Sequence, residues 1–558
     1  MNPMNQGMDA ADGGDNLQAG LASVKYKSIL PMGKQSGYVE NEKVQFEIPA
    51  EIGYFDGKQS YLNIVVRNTT TSQASTYPVC FPPHIGCHAL INRMQLQDMK
   101  GMELENIEQY NLYTGIMNSY CNDSDTYNTI SKVEGVAAHN PLPHNRGIND
   151  PKVNYFVENP SSTIASNVIA AIAGKANTFC LPLNLGLFSA FGDEHMAYPN
   201  LDIGGSRLTV YLEQANRILN SLAHNAPNQV SGANIGEANA VSTALPATNG
   251  TVGNQFIFGT DAGFDLRRIP EGELLNDYCG IGYRPGMQLK NMDNNDLADI
   301  TAVSVLGGGE VAVTCSSNLG TVDNGSSNIR VNSSALAYTI DKIELKVLET
   351  IPAPNTISQI RKAMMRGINY QSTQLTKIST GAELINAIID IPSSISRALS
   401  IWSVPVDTTR MNFENDENTL MYPQIDSQKT GNTNEISYQY QVRNILVPNR
   451  SVSITRTRSS VNQNDNPTFY NQQAMALRPI REAKCIAEQR AAEDLTNPFF
   501  IPILLAPHGS SFSLIDTDPL LRIENTATGA DITQKLYHIY INHTRLLKAS
   551  DGGVDISI

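Results

Sequence analysis

Charge is scarce in this chain. Only 17% of its 558 residues are Asp, Glu, Lys or Arg, against about 25% in an ordinary globular protein. Basic residues are the scarcer sign, 40 against 54 acidic, for a net charge of −14. That balance excludes a protein whose whole surface grips nucleic acid through a cationic field. Tryptophan occurs once. No run of about 18 apolar residues exists, so no segment reads as a membrane-spanning helix; the longest apolar stretch, residues 499–506, is interrupted by Pro502. Residues 1–20 show neither the basic start nor the apolar core of a secretory leader. The seven cysteines are scattered and form no C-x-x-C pair, so they read as reduced thiols of a soluble protein made in the cytoplasm. The P-loop, H-E-x-x-H, G-x-S-x-G and Rossmann glycine patterns are also missing, which together weigh against the commonest enzyme classes.

In place of charge stand Asn, Ser, Thr, Gln and Gly, beside 41% hydrophobic residues. That is enough apolar material to offset chain entropy and exclude general disorder. Residues 1–36, rich in Gly, Asn, Asp and Met, are expected to form a mobile arm. Strand alternation begins at Val44-Gln45-Phe46-Glu47-Ile48 and returns over 61–66, 87–96, 178–188, 201–212, 302–306 and 337–351. Later strands are expected over 384–391, 395–404, 436–442, 451–456, 499–505 and 535–547. Helices are few. Leu104, Ile107, Tyr110, Tyr113, Ile116 and Met117 give helical spacing over 102–120. A connector helix is expected over 357–366, with Asn355 or Thr356 as N-cap and Gly367 as its stop. Another is expected over 480–494, after Pro479. Residues 222–254 carry one charge, Glu237, and with 308–334 read as long loops. Each half of the chain therefore repeats one architecture, many short strands with a helix in mid-domain, which points to sandwiches or jelly rolls.

Candidate chemistry is thin. His84, Cys87 and His88 offer soft ligands, but no second cluster lies nearby, and a strand end packed beside Pro82-Pro83 is the better reading. Asp293-Asn294-Asn295-Asp296 lacks the glycine and late glutamate of a calcium loop and reads as a solvated turn. Asp516-Thr517-Asp518-Pro519 resembles a glycosidase carboxylate pair less than it does a turn. The expectation is therefore no catalytic residue, no metal and no cofactor. Residues 443–490 are locally basic, with Arg443, Arg450, Arg456 and Arg458 at their start. These four are candidates for basic contacts on an inner face, toward packaged DNA or a lipid head group, beside the plainer reading of a solvated or subunit-facing surface.

Several segments, in order, resemble the double jelly-roll major capsid proteins of eukaryotic DNA viruses, including polinton-like viruses and virophages. They are residues 91–96 (INRMQL) with Gly101 and the helix after it, 180–188 (CLPLNLGLF) with Tyr198-Pro199, 207–212 (RLTVYL), and the strand 337–348. In the second half they are 389–392 (IDIP) with 398–402 (ALSIW), 500–516 (FIPILLAPHGSSFSLID) and 537–547 (YHIYINHTRLL). The resemblance implies an all-β fold of two tandem eight-stranded jelly-roll sandwiches with long inter-strand loops and a few short helices. Its expected divisions are the arm 1–36, a first jelly roll 37–352 with loop insertions over about 216–335, a linker helix 353–368 and a second jelly roll 369–558. It implies a homotrimeric, pseudo-hexagonal capsomer of an icosahedral shell, located in the virion and synthesised in the host cytoplasm. Neighbouring capsomers, penton and minor capsid proteins would be its partners, with an internal membrane or packaged DNA at the inner face. The alternative reading is a jelly-roll protein that binds or cleaves glycans.

Overall fold

The computed structural model describes residues 21–69, 79–81, 85–121, 133–136, 168–170, 176–190, 197–221, 255–258, 288–291, 296–305, 311–317, 329–331, 337–379, 386–407, 436–453, 467–480, 500–506, 510–517, 519–525, 535–550 and 553–557. Eight strands build the first sandwich: β1 (Leu21–Ile29), β2 (Lys43–Ile48), β3 (Tyr54–Asn68), β4 (Ile91–Asp98), β5 (Glu103–Glu108), β6 (Ala176–Pro182), β7 (Ser206–Leu212) and β8 (Tyr338–Pro352). Nine follow: β9 (Ile368–Ser379), β10 (Asn386–Asp390), β11 (Ala398–Asp407), β12 (Ile436–Val442), β13 (Ile445–Ser453), β14 (Ile501–Leu504), β15 (Leu520–Asn525), β16 (Lys535–Ser550) and β17 (Gly553–Ser557). The first sandwich has sheets ordered β1-β8-β3-β6 and β2-β7-β4-β5; the second has β9-β16-β11-β14, with β17 on β16, and β10-β15-β12-β13. Adding eight to each strand of the first gives the second. The repetition expected from the sequence is thus carried by topology, and the fold is two tandem jelly rolls.

Alternation sets each core. In β3 and β8, Leu62 lies opposite Leu345 and Ile64 opposite Ile343, all four buried, because side chains two apart share a face. In the second sandwich Ile389, Tyr440, Ile501, Ile503, Ile539 and Ile541 join a separate core. Three helices matter for the arrangement: α1 (Tyr110–Cys121), α2 (Pro354–Arg366) and α3 (Pro467–Leu477). Helices α1 and α3 occupy equivalent places, between β5 and β6 and between β13 and β14.

Several expectations need correction. Residues 21–29 are not arm: β1 pairs with β8 along its length, and Lys27 and Lys25 reach the Glu349 carboxylate at 2.7 and 3.4 Å. Residues 1–20 lie outside the described residues. The helix expected over 102–120 begins only at Tyr110. Leu104 and Ile107 belong to β5, and Gln109, with φ +47°, turns strand into helix. The insertion before β8 is not only loop. Gln255–Phe258, Val311–Cys315, Leu297–Val305, Gln288–Asn291 and Ile329–Val331 form a five-stranded sheet in that spatial order; residues 222–254 lie outside the described residues. The 178–188 and 201–212 stretches each mix elements: β6 gives way to a turn of helix, Gly186–Ala190, and Asn200–Ile203 is a helical turn before β7.

The N-cap position of the connector α2 is Ala353, with no side-chain cap bond, and not Asn355 or Thr356, since Pro354 opens the helix, where its missing N–H costs nothing. Gly367 stops the helix at φ +97°. The second sandwich has α3 at Pro467–Leu477, a helix not expected from the sequence; of the helix expected over 480–494 all but Ile480 lies outside the described residues.

Removing residues 1–29 takes away an edge strand and leaves β8 as a raw edge. The calorimetric midpoint is expected to fall by roughly 5 °C or more, with faster aggregation on heating. An unchanged midpoint would show that β1 contributes nothing to the sheet.

Candidate functional site

The central strands of the second sandwich are buried on both faces. In β11, Ile401 and Ser403 point into their own core while Trp402 and Val404 point outward, and all four are inaccessible. In β16, Ile539 and Ile541 point inward and His538, Tyr540 and Asn542 outward, none more than 2% exposed. The outward face is covered by the first sandwich. Tyr113 of α1 stacks on Trp402 with centroids 5.9 Å apart and planes at 15°, and lies 6.1 Å from Tyr540. Phe500 meets Trp402 at 5.6 Å and Tyr120 edge-on at 5.1 Å. Offset aromatic contacts of this kind add about 0.5–1.5 kcal/mol each beyond area burial.

Three polar tips that the packing buries at this seam reach backbone carbonyls. Trp402 Nε1 donates to the Ala476 carbonyl at 3.1 Å, Tyr540 Oη to Gln109 O at 3.0 Å, and Gln473 Nε2 to Phe500 O at 3.0 Å. Strand β5 is a sheet edge, and its Leu104 carbonyl accepts from Arg545 Nη1 at 2.9 Å and from the Tyr370 hydroxyl. The second sandwich thereby satisfies one carbonyl of that edge. Asn542 joins the outward network, accepting from Thr373 Oγ1 at 2.8 Å and donating to Ser400 Oγ at 3.1 Å.

Glu105 is a fully buried acid beside the seam. Its two oxygens accept from the amides of Gly186 and Leu187, each at 2.9 Å, and so fix the 186–190 turn. Burial raises its pKa to about 7, against the pull of those two amides and of the Arg545 charge. Gly186 is obligatory there: a Cβ would sit 1.7 Å from the Gln371 carbonyl oxygen. Beside the seam lies a cleft of about 1080 Å³ shared by both sandwiches, with Lys58, Tyr113, Asn184, Gln371, Arg397 and Ser511 among its lining. The seam can fix the angle between two sandwiches; among the described residues it pairs no nucleophile with a base.

The residues singled out from sequence are dispersed. Cys87 and His88 lie in a buried turn, Gly86–Leu90, that is a 3-10 helix and not a strand end. His88 Nε2 is 3.1 Å from Glu134 Oε2, burial pushes the Cys87 thiol up, and His84 lies outside the described residues. Among the described residues no three His, Cys, Asp or Glu side chains are placed to hold a metal. Asp516 sits in a turn at φ +54°; Asp518 and residues 293–295 lie outside the described residues. Arg443 is also turned, at φ +57°, with its guanidinium 5.2 Å from the Phe512 ring centroid and its Nε donating to Thr517 Oγ1 at 3.2 Å. Arg450 is exposed on β13, and Arg456 and Arg458 lie outside the described residues. The seam residues were not anticipated. Their signal was the unbroken run of large side chains over 537–541, where a half-exposed strand would alternate.

No family model matches the chain, and no curated protein matches it. The structure of the Faustovirus major capsid protein is similar over 95% of this chain and 90% of that one, with a TM-score of 0.50 at 11% identity. PBCV-1 VP54, fitted into a reconstruction of the virophage Sputnik, gives 0.47 at 10% identity over 96% of each chain. The Sputnik virophage structure gives 0.46 at 11% identity over 97% of this chain and 89% of that one. The Faustovirus likeness shows a shared double jelly-roll fold.

Two predictions follow from the seam. Replacing Trp402 by Ala is expected to cost about 3–5 kcal/mol, and a double-mutant cycle with Tyr113→Ala to return a coupling of about 0.5–1.5 kcal/mol in chemical denaturation. Zero coupling would mean the stack contributes only area. The second concerns pH. Because the folded pKa of Glu105 is raised from 4.5 to about 7, its neutral form is the stabilising one: its contribution is complete below pH 4.5 and lost as pH rises through 7. Wild type should therefore lose on the order of 3 kcal/mol relative to Glu105→Gln between pH 4.5 and 8.5. A pH-independent difference in unfolding free energy would refute this.

Proposed function

We propose that this chain is a major capsid protein. The observation that carries the reading is the eight-strand shift: two sandwiches of identical strand order, welded side by side by a seam that holds them at one angle. Three such chains present six equivalent sandwiches, a pseudo-hexagonal outline that tiles a closed icosahedral shell. The Faustovirus capsid protein, of the same fold, supports it. On this reading the chain acts through assembly with its own copies and catalyses nothing. It resides in the virion after synthesis in the host cytoplasm and meets penton and minor capsid proteins at other positions of the shell. The exposed Arg450 offers a basic contact toward DNA or lipid beneath the shell. A glycan-binding sandwich would instead display aromatic platforms, whereas the single tryptophan, Trp402, is fully buried.

Negative-stain images of the purified protein are expected to show hexagonal particles, and light scattering a mass of roughly 180 kDa, three times the 60.8 kDa of one chain. A monomer at every concentration tested would overturn the reading.

A further inference from the structure

One imidazole in the seam has no hydrogen-bond partner among the described residues. His538 stands on the outward face of β16, 2% exposed, and neither its Nδ1 nor its Nε2 meets a hydrogen-bonding atom. Its ladder neighbours are Val404 on β11 and Lys377 on β9. Residues opposite each other in an antiparallel pair share a face, so Lys377 stands on the side of the sheet that the imidazole occupies. The charges that bear on His538 are this lysine and, from the first sandwich, Arg217 in the helical turn Ala215–Ile218. Both are cations. The acids on that side are engaged elsewhere: Glu213 accepts from Arg217 Nη1 at 3.1 Å, and Glu108 bears on Tyr540, the next outward residue of β16. Tyr113 and Tyr540 face the same region as neutral phenols, held so by burial.

A neutral imidazole at this position forfeits only hydrogen bonds. An imidazolium would be an unpaired charge in a dry seam beside two others of its own sign. Opening the seam relieves that charge and leaves the interior of the second sandwich intact, because His538 lies on the covered outward face and that sandwich keeps a core of its own. We propose that His538 is an acid-sensitive release in the seam: when it takes up a proton, the outward face of β11 and β16 separates from α1, and the two sandwiches part while each stays folded. Burial, aided by Lys377 and Arg217, lowers the His538 pKa from 6.5 to about 3. The neutral form is therefore the stabilising one. Its contribution is complete above pH 6.5 and is lost as pH falls through 3, about tenfold in the closed-to-open ratio per pH unit. His543, buried on the same strand and lowered to about 4, acts in the same sense. Glu105 acts in the opposite sense between pH 7 and 4.5. The device lies inside one chain and does not depend on the capsid reading.

The test is an acid titration of the full chain from about pH 8 to about pH 3. Trp402 is the single tryptophan and is fully buried in the seam, so its emission reports opening. Wild type is expected to show a red shift in acid while the far-ultraviolet strand signal persists. His538→Phe keeps a ring but takes no proton, and its red shift is expected about one pH unit or more below that of wild type. Glu105 and His543 are common to both, so the comparison isolates His538. His538→Gln, polar and uncharged, is expected to behave like the phenylalanine variant. Residue-resolved hydrogen exchange at the imidazole C2 carbon of wild type needs no variant: His538 is expected to titrate below about pH 5. Variants that open at the wild-type pH, or a His538 that titrates near its ordinary value, overturn the proposal. So does a red shift that coincides with loss of the strand signal, or a Trp402 emission unchanged across the whole titration.

Discussion

The stack of Tyr113 on Trp402 is where the two halves of the chain become one object. A sandwich ordinarily buries one face of each sheet and wets the other. Here β11 and β16 carry large side chains on both faces, so the second sandwich cannot stand alone without exposing Trp402, Val404 and Tyr540. Helix α1 is the cover, and its position dictates much around it. Gln109 takes a positive φ so that β5 can pass into α1 without a loop. Gly367 ends α2 where a Cβ would meet the Leu546 side chain at 2.6 Å, letting β9 start beside β5. Gly186 admits the Gln371 backbone. Each is a backbone concession to the packing of one aromatic face.

The same packing explains how so large a seam is built with little charge. Burying an ion is expensive unless it is paired, and tyrosine, tryptophan and glutamine reach backbone carbonyls instead. Burial pushes the phenols of Tyr113 and Tyr370 well above the ordinary tyrosine value and brings His538 down to about 3, so these groups stay neutral across physiological pH. Glu105 is the exception, and two amide donors with a nearby guanidinium hold it. The low charge content of the chain and its abundance of small polar residues are in part the composition of surfaces meant to be covered.

How much of this the sequence discloses depends on the kind of signal. Alternation in Lys342-Ile343-Glu344-Leu345-Lys346-Val347 announces a half-buried strand, and β8 is one. The stop at Gly367 is equally legible, since only glycine accepts that backbone cheaply. The strand–helix break at Gln109 is not: Leu104 and Ile107 fit a helical stripe as well as a strand, and the deciding fact is that β5 must pair with β4. Strand β1 was hidden for a related reason. Its partner β8 lies over three hundred residues away, and ladder bonds to a distant strand leave no mark on local composition. The seam could be suspected from the uninterrupted bulk of β16, but its partners could not, because they come from a helix that the sequence assigns to another domain.

Equivalent strands of the two sandwiches share topology and differ in face chemistry. Where β11 and β16 present aromatics outward, β3 and β8 present Tyr61, Asn63, Lys342, Glu344 and Lys346, half-buried or exposed apart from Glu344. Glu344 bridges both lysines at 2.7 and 2.8 Å, and these hydrogen bonds lower its pKa to about 2. A face of that kind stays soluble while it waits, since its ion pairs are solvated and each is worth little. An aromatic face cannot wait and must be covered as the chain folds. The distribution therefore sets a dry aromatic face, covered once within the chain, beside a polar face that stays hydrated. Leaving the outward face of Trp402 and Tyr540 uncovered would expose a contiguous aromatic patch, and a chain in that state would aggregate.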